Sequence, residues 1–199
     1  MKRLLDLCVA VTLLVLLSPF LVFLALLVRL RLGSPVLFAQ TRIGRFEQPF
    51  ILYKLRSMRD EVDALGKPLP DAQRLSPFGC WLRSWSLDEL PQLWNILRGE
   101  MSFIGPRPLL PEYLPRYSAR QRRRHEVRPG LSGWAQVHGR NAISWERRLE
   151  LDVDYVDAQS MLLDIRIAVL TMRKLILRDG VSQAGHATMD VFRGVNDSG

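Results

Sequence analysis

The chain has few of the residues that announce common active sites. It contains two cysteines, Cys8 and Cys80, and three histidines, His125, His138 and His186. Cys8 falls inside an apolar run, so a disulfide framework is not expected and a reducing compartment is the default. The histidines lack zinc-ligand spacing. No Walker A sequence, no Rossmann glycine pattern and no nucleophile elbow is present, which sets aside P-loop, dinucleotide-binding and α/β-hydrolase chemistry. Internal repeats and low-complexity blocks are also missing. Acid is scarcer than base: 20 Asp and Glu against 28 Lys and Arg, a net charge of +8 over 199 residues. That balance suits anionic partners: nucleic acid, anionic phospholipid or a phosphorylated substrate.

What the chain does have is one long apolar run over residues 4–32. Lys2 and Arg3 precede it, and Arg29 and Arg31 lie at its far end. Between Leu4 and Val28 the polar residues are Asp6, Thr12 and Ser18, with Pro19 near the middle. As continuous helix this stretch rises roughly 37 Å, enough for a bilayer core of about 30 Å. Basic residues at both ends give no clear orientation by the positive-inside rule. Pro19 removes a helix hydrogen bond, and Ser18 can help re-satisfy the freed backbone, so a bend at Ser18-Pro19 is expected. A helix that enters, bends and returns to the same face is favoured over a kinked span. A signal peptide fits less well, because no small-x-small cleavage site follows the run before Arg29.

Beyond it the sequence reads as α+β, mostly helical, in three parts: residues 1–32 as a re-entrant membrane helix, 33–184 as one domain and 185–199 as a loose tail. Residues 36–39 and 49–55 have strand character and predict a small β-hairpin, with 40–45 as a basic turn between them. Residues 60–74 begin as helix and finish as loop. Residues 80–84 form a short helix. Leu90, Leu93, Trp94 and Leu97 recur at helix spacing and predict one buried stripe, closed by Arg98-Gly99. Residues 109–117 include a short amphipathic helix, and 131–141 a compact loop. Residues 145–155 and 161–177 are helices. The second carries Leu162, Ile165, Val169, Met172 and Ile176 on its apolar side and is either interfacial or core.

The chemistry points to Asp88 and Glu89. Adjacent helical residues stand about 100° apart, so the pair is poorly placed as a shared-proton dyad but can do two different jobs. Ser86-x-x-Glu89 also matches a capping box, and on residues alone capping is the stronger reading. The neighbourhood raises the functional one. Arg83 lies just upstream, and Arg107 is held between Pro106 and Pro108, so countercharge for a diphosphate is close at hand. A carboxylate attacking phosphate needs further neutralisation, for which Mg²⁺ is the natural partner. Asp152 and Asp154 read as a solvated helix face rather than a metal site.

Several stretches, in order, carry a resemblance. They are Phe38-Ala39-Gln40-Thr41-Arg42-Ile43-Gly44, Tyr53-Lys54-Leu55-Arg56-Ser57-Met58, Arg83-Ser84-Trp85-Ser86-Leu87-Asp88-Glu89-Leu90-Pro91-Gln92 and Met101-Ser102-Phe103-Ile104-Gly105-Pro106-Arg107-Pro108. Val127-Arg128-Pro129-Gly130-Leu131-Ser132-Gly133-Trp134-Ala135-Gln136-Val137 and Leu151-Asp152-Val153-Asp154-Tyr155 complete the set. Each is modest alone; together they resemble the bacterial sugar transferase family of monotopic polyprenyl-phosphate phosphoglycosyl transferases over nearly the whole chain. Length and tail look like the minimal enzymes of bacterial N-linked glycosylation, which use UDP-N,N'-diacetylbacillosamine.

The resemblance implies a re-entrant helix broken at Ser18-Pro19 and a core on the cytoplasmic face of the bacterial inner membrane. It implies that residues 33–184 are a cytoplasmic-face catalytic domain and that the reaction is a ping-pong transfer of phosphosugar from a UDP-sugar to polyprenyl phosphate. Asp88 would be the nucleophile and Glu89 its partner, the two holding Mg²⁺. Arg83, Pro106, Arg107, Pro108, Arg128 and Arg140 would contact substrate. Anionic phospholipid is an expected partner, nucleic acid is not, and the oligomeric state stays open. Glu100 and His138 depart from the family's usual Asp and Asn. The rival of a different class is a membrane-anchored basic protein that uses the arginines of residues 116–128 to bind nucleic acid or acidic lipid without catalysis.

Overall fold

The computed structural model describes residues 1–63, 65–67, 69–139, 143–177, 192 and 194. Helix α1 (Lys2–Leu32) is helical throughout, including Pro19. Proline has no N–H for the Val15 carbonyl, and the Ser18 hydroxyl donates to that carbonyl instead, at 2.9 Å. The expected break at Ser18-Pro19 therefore takes the form of one substituted hydrogen bond inside an uninterrupted helix.

The helix is fastened to the rest of the chain near both ends. At its start Lys2 Nζ donates to the Ile104 carbonyl and the Tyr155 hydroxyl and pairs with Asp164. Arg3 donates to the carbonyls of Ile96 and Leu97. Asp6, buried in spite of its charge, accepts from Ser102 Oγ at 3.1 Å and Phe103 N–H at 3.2 Å. Ala10 then enters a core with Phe50, Leu52, Leu93, Ile96 and Met101. At the far end Leu24 and Val28 bury against Leu55 and Leu82, and Arg56 donates to the Leu32 carbonyl. Between these anchor points Val15, Leu16, Val22 and Leu26 are exposed. Its most apolar 18-residue window has mean hydropathy 2.9 and is 11% buried, so by length and composition α1 suffices to cross a membrane.

Strand β1 (Leu37–Ile43) pairs antiparallel with β2 (Pro49–Leu55), Leu37 opposite Leu55 and Ile43 opposite Pro49. The expected hairpin is present, but residues 40–43 belong to the strand, not to a turn. Of these only Ile43 is buried, so no apolar alternation marks the segment, and backbone pairing to β2 holds it. The order expected over residues 60–74 is reversed: the helix, α2 (Asp71–Arg74), comes last, just before Leu75 pairs with Met58 and closes the loop.

Ser76 caps α3 (Pro77–Ser84) by accepting from Gly79 N–H. A 3₁₀ turn, Leu87–Glu89, leads to α4 (Gln92–Arg98), which ends as expected at Gly99, φ 84°. The buried side of α4 is Gln92, Leu93, Asn95 and Ile96, whereas Trp94, expected in the stripe, is 52% exposed. Asn95 replaces it inside because it satisfies the edge of β2, accepting from Tyr53 N–H and donating to the Ile51 carbonyl.

Strand β3 (Ser102–Ile104) runs parallel to β4 (Gly130–Ser132). Between them lie a 3₁₀ stretch, Pro111–Arg116, and α5 (Ala119–Arg122). Helix α6 (Trp134–Val137) follows, so residues expected as compact loop are part strand and part helix. Helices α7 (Trp145–Asp157) and α8 (Met161–Leu177) match expectation. The buried side of α8 holds Asp164 and Ile167, and its apolar stripe from Leu162 to Ile176 points away from the core. The tail expected to be loose contributes Phe192, which buries among Leu109, Tyr113, Tyr117 and Leu149.

Candidate active site

Ser86 has φ 53°, the left-handed conformation that few non-glycine residues adopt, and its hydroxyl makes no cap bond. The turn it starts carries Asp88 inward to 6% exposure and sends Glu89 toward β2. Glu89 Oε1 accepts from Lys54 Nζ at 2.6 Å and from Arg107 Nη2 at 2.9 Å. The capping reading of Ser86 and Glu89 is thereby displaced: the glutamate is turned to two cations rather than back to its own turn.

Each cation is held from behind. Lys54 comes from β2. Arg83, in the last turn of α3, donates to Ser57 Oγ at 2.9 Å, and α3 lies so close to that segment that a Cβ on Gly79 would stand 1.9 Å from the Ser57 carbonyl oxygen. Arg107 sits between two buried prolines, Pro106 and Pro108. Its carbonyl accepts from Arg124 Nη2 at 2.7 Å, and Arg124 pairs with Asp152, the two side chains 2% and 3% exposed. Asp152 is thus neither the solvated residue expected nor a metal ligand here; it fixes the Arg107 segment through Arg124. Just before that segment the chain passes Gly105 against Gly130, where a Cβ on Gly130 would fall 2.1 Å from Gly105 N. Arg42 reaches the Pro108 carbonyl from β1. Burial and the charge of Arg107 lower its pKa to about 10, and its Nε is buried without a partner.

Burial and the adjacent Glu89 raise the pKa of Asp88 to about 6, against the pull of Lys54, Arg83 and Arg107. Burial pushes Glu89 the same way, but Lys54 and Arg107 overcome it and hold Glu89 well below the usual carboxylate range. The pair is therefore split: Glu89 is a fixed anion, and Asp88 is a carboxylate made costly by its surroundings, on which none of the hydrogen bonds of the described residues ends. Among the described residues no cluster of three or more His, Cys, Asp or Glu is placed to hold a metal ion.

The other expected site residues are spread out. Arg128 Nε donates to the Gly99 carbonyl at 2.8 Å. Arg140 lies outside the described residues. Glu100 accepts from Asn95 and pairs with Arg98, so its longer side chain works on the end of α4. His138 is exposed beside Trp134, with ring centroids 3.9 Å apart. Sequence reasoning placed Lys54 only within the strand of residues 49–55 and the Tyr53–Met58 stretch. Its position in a strand ahead of a basic motif was visible, but which element that strand faces was not.

The carboxylate pair and its three cations stand beside the far end of α1, where Leu87 and Leu90 pack against Leu24 and Val28. The chain belongs to the bacterial sugar transferase family, whose model matches residues 1–178. It is 52% identical over 197 residues to an uncharacterized sugar transferase, EpsL, of Bacillus subtilis (strain 168), covering 99% of this chain and 98% of that one. It is 39% identical over 190 residues to the UDP-glucose:undecaprenyl-phosphate glucose-1-phosphate transferase of Caulobacter vibrioides, covering 89% of this chain and 70% of the relative. It is 40% identical over 193 residues to the undecaprenyl-phosphate glucose phosphotransferase of Komagataeibacter xylinus, covering 88% of this chain but 36% of that longer protein.

Proposed function

We propose that the chain is a phosphoglycosyl transferase that moves a sugar 1-phosphate from a UDP-sugar to polyprenyl phosphate. Asp88 Oδ attacks the β-phosphorus, the bond from that phosphorus to the bridging oxygen breaks, and UMP leaves. The sugar phosphate stays on Asp88 as a mixed anhydride. A phosphate oxygen of polyprenyl phosphate then attacks the same phosphorus, the bond to Asp88 breaks, and polyprenyl-diphospho-sugar departs. The covalent stage lets a water-soluble donor and a lipid acceptor use one site in turn. Lys54, Arg83 and Arg107 stabilise the diphosphate and the charge that develops on it. Glu89 keeps Lys54 and Arg107 in place.

Mg²⁺ typically takes one or two protein carboxylates and completes its shell with water and substrate phosphate, a requirement that Asp88 and Glu89 meet, since both hydrogen bonds to Glu89 fall on Oε1. When bound, the ion supplies further neutralisation of the diphosphate.

The donor proposed from the motif resemblance is UDP-N,N'-diacetylbacillosamine or a related UDP-HexNAc. Relatives named for glucose, galactose and N-acetylgalactosamine put those UDP-sugars on the same test panel.

The location proposed is the cytoplasmic face of the inner membrane, with α1 re-entrant. Fastening of both ends of α1 to one domain supports a helix whose ends share a compartment, and the outward apolar stripe of α8, edged by Arg166, Arg173 and Lys174, supports contact with anionic phospholipid. The rival basic binding protein is disfavoured by internal pairing: Arg122 to Glu47, Arg123 to Asp157, Arg124 to Asp152 and Arg128 to the Gly99 carbonyl.

The observation that carries the reading is the buried Asp88 carboxylate, without a hydrogen-bond donor among the described residues yet faced by three cations. Mass spectrometry after mixing protein with donor alone should find a sugar-phosphate adduct on Asp88, with one UMP released per chain. Product formation without that adduct in trapping experiments overturns the covalent mechanism.

A further inference from the structure

An apolar groove opens beside the site, walled by Leu14 of α1, Leu37 of β1, Tyr53 of β2, and Pro91 and Trp94 around the start of α4, with a volume of about 250 Å³. We propose that it seats the phosphate-proximal isoprene units of the acceptor, an assignment that rests on the transferase reading.

Three observations converge. The groove joins two environments. Leu14 continues the exposed apolar surface of Val11 and Val15 on the membrane helix, while Pro91 follows Glu89 by two residues and Tyr53 adjoins Lys54, whose ammonium is 2.6 Å from Glu89. The polarity of its walls fits one partner of the reaction and not the other. The five side chains carry two polar atoms, the Tyr53 hydroxyl and the Trp94 indole N–H; a nucleotide or sugar would leave most of its own groups unpaired there, whereas an isoprenoid needs none. Charge is segregated as it is in the acceptor, with cations at the catalytic end and hydrocarbon walls away from it. Trp94 and Leu37 are 52% and 47% exposed, large apolar groups whose exposure a bound chain removes. This also accounts for the displaced stripe of α4: Asn95 goes inward, and Trp94 is left to line the groove.

The test uses the full chain in nanodiscs, with Trp94→Ala and Leu37→Asn variants. Acceptor KM should rise about tenfold in each, with kcat and donor KM within about twofold and the UMP burst from donor alone unchanged. In the unaltered protein, affinity should climb as a prenyl phosphate lengthens from one isoprene unit to three, and that climb should flatten in Trp94→Ala. A polyprenyl phosphate with a diazirine in its second unit should label the peptides bearing Tyr53 or Trp94, and unlabelled polyprenyl phosphate should compete, whereas excess dioleoylphosphatidylglycerol should not. An unchanged acceptor KM, a matching rise in donor KM or competition by the phospholipid overturns the assignment. Absence of a UMP burst from the unaltered protein defeats the transferase reading instead, and the labelling result then judges the groove by itself.

Discussion

The Asp88 carboxyl is buried beside a second carboxylate, so ionising it works against folding. Its pKa stands near 6 in the folded chain, above the ordinary aspartate value of 3.8. A raised pKa means that the folded state holds the proton more tightly, so the stability it contributes is complete below about pH 4 and is lost as pH rises through about 6. Asp88→Asn is therefore expected to abolish transfer and yet to melt at least about 2 °C higher at pH 7.5, with the gap closing by pH 4. Thermal scans across that range check it. UMP release from the donor should show an acid limb near pH 6, below which Asp88 is protonated and no longer nucleophilic. Lys54→Met should slow transfer about 10²-fold and move that limb upward, because the lysine favours the ionised pair. At this scale the sequence exposed the adjacent carboxylates and the Pro106-Arg107-Pro108 segment, since neighbours in the chain are neighbours in space. It hid Lys54 and Asp152, which reach the site only through tertiary contacts with partners 35 and 28 residues away.

The cations depend on close crossings of backbone. Gly79→Ala should destabilise the fold by about 2 kcal/mol or more, because the new methyl meets a carbonyl oxygen rather than a side chain able to move aside. Denaturant titration measures this, and the loss of activity should exceed the loss of folded protein, since Arg83 is carried on the same helix. Elements with strong periodicity were legible: residues 49–55, α7 and α8 lie where the pattern put them. Residues 60–74 were misread because the Met58–Leu75 bridge, a tertiary contact, decides where the loop closes. The stripe of α4 was misassigned because Asn95 has edge carbonyl and amide groups of β2 to satisfy, a demand that hydropathy does not encode.

A straight helix of 31 residues spans roughly 46 Å, yet α1 meets one domain near both termini. In a background with Cys8 and Cys80 replaced, single cysteines introduced beside residue 2 and beside residue 33 should react from the same side of sealed vesicles; labelling from opposite sides would dismiss the re-entrant form. The attachments of α1 also impose an order of assembly. Asp6 finds its donors at Ser102 and Phe103, and Lys2 its carboxylate at Asp164. During synthesis α1 is made well before these partners exist, with its acid and its amine unmatched. A ribosome halted short of Asp164 would thus leave a chain whose long apolar helix is complete but still lacks its Lys2 clasp.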